Sequence, residues 1–134
     1  MIDNNRFERG ESLWLRGAAS KDGEVGVYYV ASDSDPAHSY QAATPWAAGR
    51  MRCSCPDYSQ RGAICKHIVA ATLAEAERRI RGAMANGKSL AELKAEAIVA
   101  GLVGTEGLTQ ETIWRCGYEV LRLLEEGYLE VGND

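Results

Sequence analysis

Residues 53–67 read Cys53-Ser-Cys55-Pro-Asp-Tyr-Ser-Gln-Arg-Gly-Ala-Ile-Cys65-Lys-His67, and they offer three thiols and one imidazole as two close pairs. An extended backbone points alternate side chains to the same side, so both sulfurs of the first pair face one way. Thiolate and imidazole match the borderline softness of zinc, whose filled d shell accepts a tetrahedron without penalty. The spacing therefore predicts one zinc ion bound by Cys53, Cys55, Cys65 and His67.

The predicted zinc is structural, because four protein ligands leave no coordination position for the water that a catalytic zinc activates. The connection between the two ligand pairs is expected to be a loop, in which Pro56 fixes the departure and Gly62 permits a positive φ. The crowding of three cysteines beside a histidine favours metal over disulfides. Two alternatives stay open: reduced side chains packed in a core, or an iron–sulfur or redox site that would need the distant Cys116.

The residues around these pairs resemble a known family, the SWIM zinc finger, whose pattern is Cys-x-Cys, a variable loop and Cys-x-His. The resemblance rests on Cys53-Ser-Cys55-Pro-Asp-Tyr58, Arg61-Gly62 and Cys65-Lys-His67-Ile68-Val69, and it covers roughly residues 25–85. It implies a β–β–α layout in which the same three cysteines and the histidine are the ligands. Members of the family are generally regarded as binding modules for DNA or proteins, often attached to a larger functional domain.

Hydrophobic patterning predicts an α+β fold in two lobes, 1–87 and 88–134. A first helix is expected over residues 5–15. Segments suited to a pleated surface then predict a small antiparallel sheet, with strands at 25–30, 39–43 and 50–53. Because this sheet leads directly into the cysteines, the first lobe is expected to be a zinc-clamped β–β–α unit.

Helical periodicity begins at His67 and predicts a helix that ends at Asn86-Gly87. A second helix is expected to start at Ser89, which forms a Ser-x-x-Glu capping box with Glu92, and to reach about residue 100. A third helix is predicted over 109–127, with a short strand behind it at 128–131. Residues 89–131 also resemble a winged helix-turn-helix, with residues 108–131 as its second helix and first wing strand, which would place a helix in a DNA groove.

Charge is distributed unevenly along the chain. A net charge of −4 and a pI near 5.2 argue against a protein that coats nucleic acid non-specifically. Positive residues are concentrated between positions 48 and 81, and this basic patch predicts binding to DNA or RNA. The candidate contacts are Arg50, Arg52, Tyr58, Arg61, Lys66, Arg78, Arg79 and Arg81. The alternative is that these are ordinary solvated charges and that Tyr58 packs against the metal loop.

A protein partner is the alternative to nucleic acid, because Trp114 and Tyr118 beside the apolar stripe of the third helix could form an aromatic binding face. The chain would then be an adaptor or a subunit of a complex. An enzyme is not expected, since His38 is the one histidine outside the metal set and Cys116 lies in an apolar stripe. The sequence shows no secretory signal and no apolar run long enough for a membrane span, so we expect a cytoplasmic, regulatory binding protein without a small-molecule substrate.

Overall fold

The computed structural model describes residues 2–48, 50–103 and 107–130. Within these ranges it contains a four-stranded antiparallel sheet and five helices, which confirms the predicted α+β class. Contacts between Cα atoms divide the chain into two compact units, Met1–Glu75 (unit 1) and Ala76–Asp134 (unit 2). The division into lobes after residue 87 stays a prediction.

Unit 1 begins with helix α1, Asn4–Leu15, as predicted. The carboxylate of Asp3 caps this helix by accepting the backbone N–H of Asn5 at 2.8 Å. The sheet follows in the order β1–β2–β3–β4, and its strands are Ala19–Lys21, Val27–Ala31, Ser39–Ala43 and Arg52–Cys53. The predicted strand at 39–43 coincides with β3. The strands predicted at 25–30 and 50–53 begin two residues before β2 and β4, and β1 was not predicted.

A short helix, α2, occupies Pro56–Arg61, within the connection that was predicted to be a loop. Cys55 is its N-cap, and Pro56 takes the first helical turn, where a missing N–H costs no hydrogen bond. Gly62 ends the helix with a left-handed φ of 65°. The loop prediction was therefore wrong, although Pro56 and Gly62 mark the two boundaries of this segment.

Helix α3, Lys66–Ala85, begins in unit 1 and buries Ile68, Val69 and Leu73 completely. Strand register places Tyr28 of β2 opposite Ala42 of β3, which in turn lies opposite Cys53 of β4. From this face of the sheet the hydroxyl of Tyr28 donates to the buried carboxylate of Glu75 in α3 at 2.8 Å. The sheet face that carries Cys53 is thus tied to the helix that carries His67.

Unit 2 contains the end of α3 and the helices α4, Leu90–Val103, and α5, Gly107–Glu125. The predicted capping box is confirmed: Ser89 N–H donates to the Glu92 carboxylate and Glu92 N–H donates to the Ser89 hydroxyl, each at 3.1 Å. Turns and bends follow α5, so residues 128–130 do not form the predicted terminal strand or wing; Val131 lies outside the described residues. Among the helices of the described ranges, none is long and apolar enough to cross a membrane.

Candidate metal centre

Three cysteines and one histidine converge at one point of unit 1. The ligand atoms of Cys53, Cys55, Cys65 and His67 all lie within 4.8 Å of one another, and all four residues are buried. Cys53 ends β4, Cys55 precedes α2, Cys65 immediately precedes α3, and His67 lies in the first turn of α3. Each ligand is therefore positioned at the end of a regular element, where the backbone direction is fixed.

A backbone amide of α2 donates to one of the sulfurs. Cys55 Sγ accepts the N–H of Tyr58 at 3.4 Å as the side-chain cap of α2. A hydrogen bond of this kind favours the charged form of the acceptor, so the amide of Tyr58 stabilises a thiolate at Cys55.

The side chains of the cluster are not satisfied by the protein alone. Both ring nitrogens of His67 are buried, and neither has a hydrogen-bond partner among the described residues. A buried polar atom without a partner is costly, and a metal bond to one nitrogen removes part of that cost. A buried imidazole without a hydrogen-bond partner in the described part of the chain, beside three buried sulfurs, fits a bound cation at this position.

The sulfurs also compete for protons. The closeness of the Cys53 and Cys55 sulfurs lowers the pKa of Cys55 and raises the pKa of Cys53. A divalent cation resolves this competition, because each sulfur then binds the metal as a thiolate and the protons are released. Three sulfurs and one imidazole nitrogen, all buried, are the donor set of a structural zinc site.

The remaining cysteine does not belong to this cluster. Cys116 is a buried free thiol on α5 in unit 2, whereas the four clustered residues all belong to unit 1. The other three cysteines are free thiols as well, so the structure contains none of the disulfides that four cysteines would allow. The prediction of metal over disulfides accordingly agrees with the geometry.

The predicted nucleic-acid contacts differ in exposure and in whether a carboxylate already pairs with them. Arg50 and Arg52 are exposed and form no ion pair within the described part of the chain. Others are engaged: Lys66 bonds to Asp33 at 2.9 Å, Arg61 lies 3.4 Å from Asp57, and Arg81 bonds to Glu77 at 2.8 Å. Tyr58 donates its hydroxyl to the carbonyl of Met51 at 3.0 Å, and Arg78 and Arg79 lie exposed on the part of α3 that belongs to unit 2.

Two cationic side chains close to α2 were not predicted from the sequence. Arg6 and Arg9 on α1 line a cleft of about 320 Å³ together with Asp57, Arg61 and Lys66. Arg6 reaches α2, where it makes two hydrogen bonds with the carboxylate of Asp57, at 2.8 and 3.0 Å. Arg6 and Arg9 are three residues apart and therefore lie on one face of the predicted helix. This spacing is the pattern from which a pair of neighbouring cations could have been predicted.

Unit 2 has a concave surface of its own. A cavity of about 300 Å³ is lined by α3, α4 and α5, mostly with apolar side chains such as Ile80, Leu93 and Ile113. Trp114 lies in its wall, donates its indole N–H to the carbonyl of Ala97 at 2.8 Å, and stacks on Tyr118 with ring centroids 5.5 Å apart. The aromatic pair predicted from the sequence is thus present at this cavity.

Comparison with known proteins bears on the metal centre directly. Residues 49–76, which include the whole ligand cluster, match the family model described as the SWIM zinc finger. Neither the curated proteins nor the solved structures contain a significant match to this chain. The family match and the buried donor cluster support one structural zinc ion, and the chain thus contains a zinc-binding module of the SWIM zinc finger family at residues 49–76.

Proposed function

We propose that Cys53, Cys55, Cys65 and His67 are the four zinc ligands, and that unit 1 is a non-enzymatic module that binds nucleic acid, with DNA as the first candidate. The observation that supports the proposal is the pair Arg50 and Arg52. Both side chains are exposed, lie within three residues of Cys53 in sequence, and have no carboxylate partner in the described part of the chain.

The free guanidinium groups are suited to phosphate. An arginine that is paired with a carboxylate has fewer N–H donors left for a phosphate, whereas all donors of Arg50 and Arg52 are available for one within the described ranges. Arg52 precedes Cys53 in β4, so its side chain extends from the opposite face of the sheet to the metal ligand. A phosphate could therefore approach Arg52 without disturbing the buried cluster.

The zinc ion supplies stability, not chemistry, at this surface: when bound, it joins the ends of β4, α2 and α3. Metal binding releases free energy only when the four ligands converge, so that free energy becomes free energy of folding. The chain itself orients Arg52, because β4 pairs with β3 at Ala42 and Ala43. The position of the cationic side chain therefore depends on an intact metal centre.

The test is a binding titration of zinc-loaded protein against labelled single- and double-stranded DNA and RNA at two salt concentrations. Neutralising both residues, Arg50→Gln with Arg52→Gln, should weaken binding at low salt. It should also reduce the slope of log affinity against log salt by about two, one for each phosphate contact. The matched control is Arg16→Gln with Lys88→Gln, which removes the same charge at exposed positions elsewhere. Equal affinity of the Arg50/Arg52 variant and the control would contradict the proposal.

A protein partner is the second candidate, because unit 2 contains the apolar cavity lined by α3, α4 and α5. Beside it, α4 exposes Ile98 at 47% and Val99 at 59%, which is unusual for large apolar side chains on one helix. Ala100→Arg would place a charge at the cavity wall, while Ala91→Arg would place one on the exposed surface of the same helix, away from the cavity. A protein captured by the wild type and by Ala91→Arg, but not by Ala100→Arg, would favour this candidate.

A further inference from the structure

We propose that the cleft between α1 and α2 is a second nucleic-acid contact, which binds a backbone phosphodiester between Arg9 and Arg61. This inference rests on the proposed function and joins two side chains of α1, Arg6 and Arg9, to the predicted contacts Arg61 and Lys66 in one site. The cleft of about 320 Å³ is lined by four cations, Arg6, Arg9, Arg61 and Lys66, and by the carboxylates of Asp3 and Asp57.

The cleft is built by tertiary contacts between distant segments. Arg6 and Asp57 are 51 residues apart in sequence and form a pair of hydrogen bonds, from Nε at 2.8 Å and from a terminal nitrogen at 3.0 Å. Close packing of Gly10 on the start of α3 brings α1 near Lys66: a Cβ at position 10 would lie 2.7 Å from the carbonyl oxygen of Lys66. Arg6 and Lys66 are therefore held in place before any ligand arrives.

Two of the three carboxylates near the cleft are each shared by two cations. Asp57 pairs with Arg6 and lies 3.4 Å from Arg61, while Asp33 pairs with Lys66 at 2.9 Å and lies 3.5 Å from Arg9. The third carboxylate, Asp3, pairs among the described residues with Arg6 alone, at 3.0 Å, so four cations face three carboxylates and the group keeps a surplus of one positive charge. A surplus of this kind attracts an anion to the open side of the cleft.

The open side is formed by the two arginines with the weakest internal contacts. The side chains of Arg9 and Arg61 are 54% and 66% exposed, whereas those of Arg6 and Lys66 are 19% and 20% exposed. Their contacts with carboxylates, at 3.5 and 3.4 Å, are long, so most of their N–H groups remain available. Because a guanidinium presents parallel donors that fit phosphate oxygens, Arg9 and Arg61 can clamp a phosphodiester above the Arg6–Asp57 pair.

The experiment compares the wild type with the double variant Arg9→Gln/Arg61→Gln, which leaves the Arg6–Asp57 pair and all metal ligands in place. Zinc content and melting temperature are measured first and should not change. At low salt the variant should bind the oligonucleotide preferred by the wild type about tenfold or more weakly, with the salt slope reduced by about two. The Arg16→Gln/Lys88→Gln variant again serves as the control for net charge.

A second probe distinguishes a phosphate contact from a contact of Arg9 and Arg61 with bases or sugars. Oligonucleotides with neutral methylphosphonate linkages remove the phosphate charge from the ligand, so the difference between the wild type and Arg9→Gln/Arg61→Gln should disappear with them. If that difference persists, or if the variant binds the ordinary oligonucleotide as tightly as the control, the cleft proposal is overturned while nucleic-acid binding through Arg50 and Arg52 stands. Failure of the wild type to bind any nucleic acid at low salt would overturn both proposals.

Discussion

Gly10 of α1 packs directly on Val69 of α3: a Cβ placed at position 10 would lie 2.5 Å from the Cβ of Val69. Two carbon atoms that are not bonded to each other do not come this close unless one of them moves, and Val69 is completely buried. The glycine therefore sets the distance between α1 and the helix that carries His67. It also explains why a residue that weakens a helix occupies the middle of α1.

The substitution Gly10→Ala should destabilise the protein, because the new methyl group must displace either Val69 or the whole of α1. Overpacking of this kind costs about 1–3 kcal/mol, which exceeds the gain in helix propensity of up to about 1 kcal/mol. The control is Gly82→Ala in α3, where an added Cβ meets nothing within 4 Å. Thermal unfolding should show a lower midpoint for Gly10→Ala and an equal or higher midpoint for Gly82→Ala; the reverse order would refute the packing argument.

The buried carboxylate of Glu75 gives a second prediction. Tyr28→Phe removes the hydroxyl that donates to Glu75 and leaves this fully buried acid with one donor fewer. We expect a loss of about 1–3 kcal/mol in the free energy of unfolding, measured by denaturant titration. Tyr29→Phe, at the exposed neighbouring position, should change that free energy by less than about 0.5 kcal/mol. Equal effects at the two positions would show that the Tyr28–Glu75 contact does not stabilise the fold.

Removal of zinc should unfold unit 1. A sheet with strands of two to five residues buries little surface, so metal binding must supply part of the free energy of folding. Addition of a strong chelator should abolish the cooperative melting of unit 1, and addition of zinc in excess should restore it. A chelated protein that keeps its cooperative transition at the same temperature would show that the metal is dispensable for the fold.

The variant Cys116→Ala tests whether the fourth cysteine only packs in the core of unit 2 or also binds the metal. The side chain of Cys116 is fully buried on α5, so its truncation should cost about 1 kcal/mol of stability. It lies outside the ligand cluster, and the variant should therefore keep its full zinc content. Loss of zinc from Cys116→Ala would mean that the ligand set was wrongly assigned.

Local signals predicted much of this fold. The strand at 39–43, the helix α1 and the capping box of Ser89 and Glu92 each follow from residues that are neighbours in sequence. The cluster of Cys53, Cys55, Cys65 and His67 was predictable in a similar way, because one residue separates the members of each pair and only the connection from Cys55 to Cys65 must bring the pairs together.

Tertiary contacts account for what the sequence pattern did not predict. Strand β1, Ala19–Lys21, has no β-branched or aromatic residue, and it is extended because it pairs with β2. The cleft beside α2 depends on Arg6 meeting Asp57 across most of unit 1, which no spacing along the chain reveals. Helix α2 is a different case, because Pro56 and Gly62 gave its start and end but were also compatible with a loop.

The most direct test of the metal centre is the zinc stoichiometry of purified protein, measured by elemental analysis for the wild type and for Cys65→Ser, His67→Ala and Cys116→Ala. We predict one zinc per chain for the wild type and for Cys116→Ala. The two ligand variants should lose the metal together with cooperative melting, because both residues belong to the buried cluster. A wild-type protein purified without zinc, or a His67→Ala variant that stays folded and fully loaded, would contradict the account.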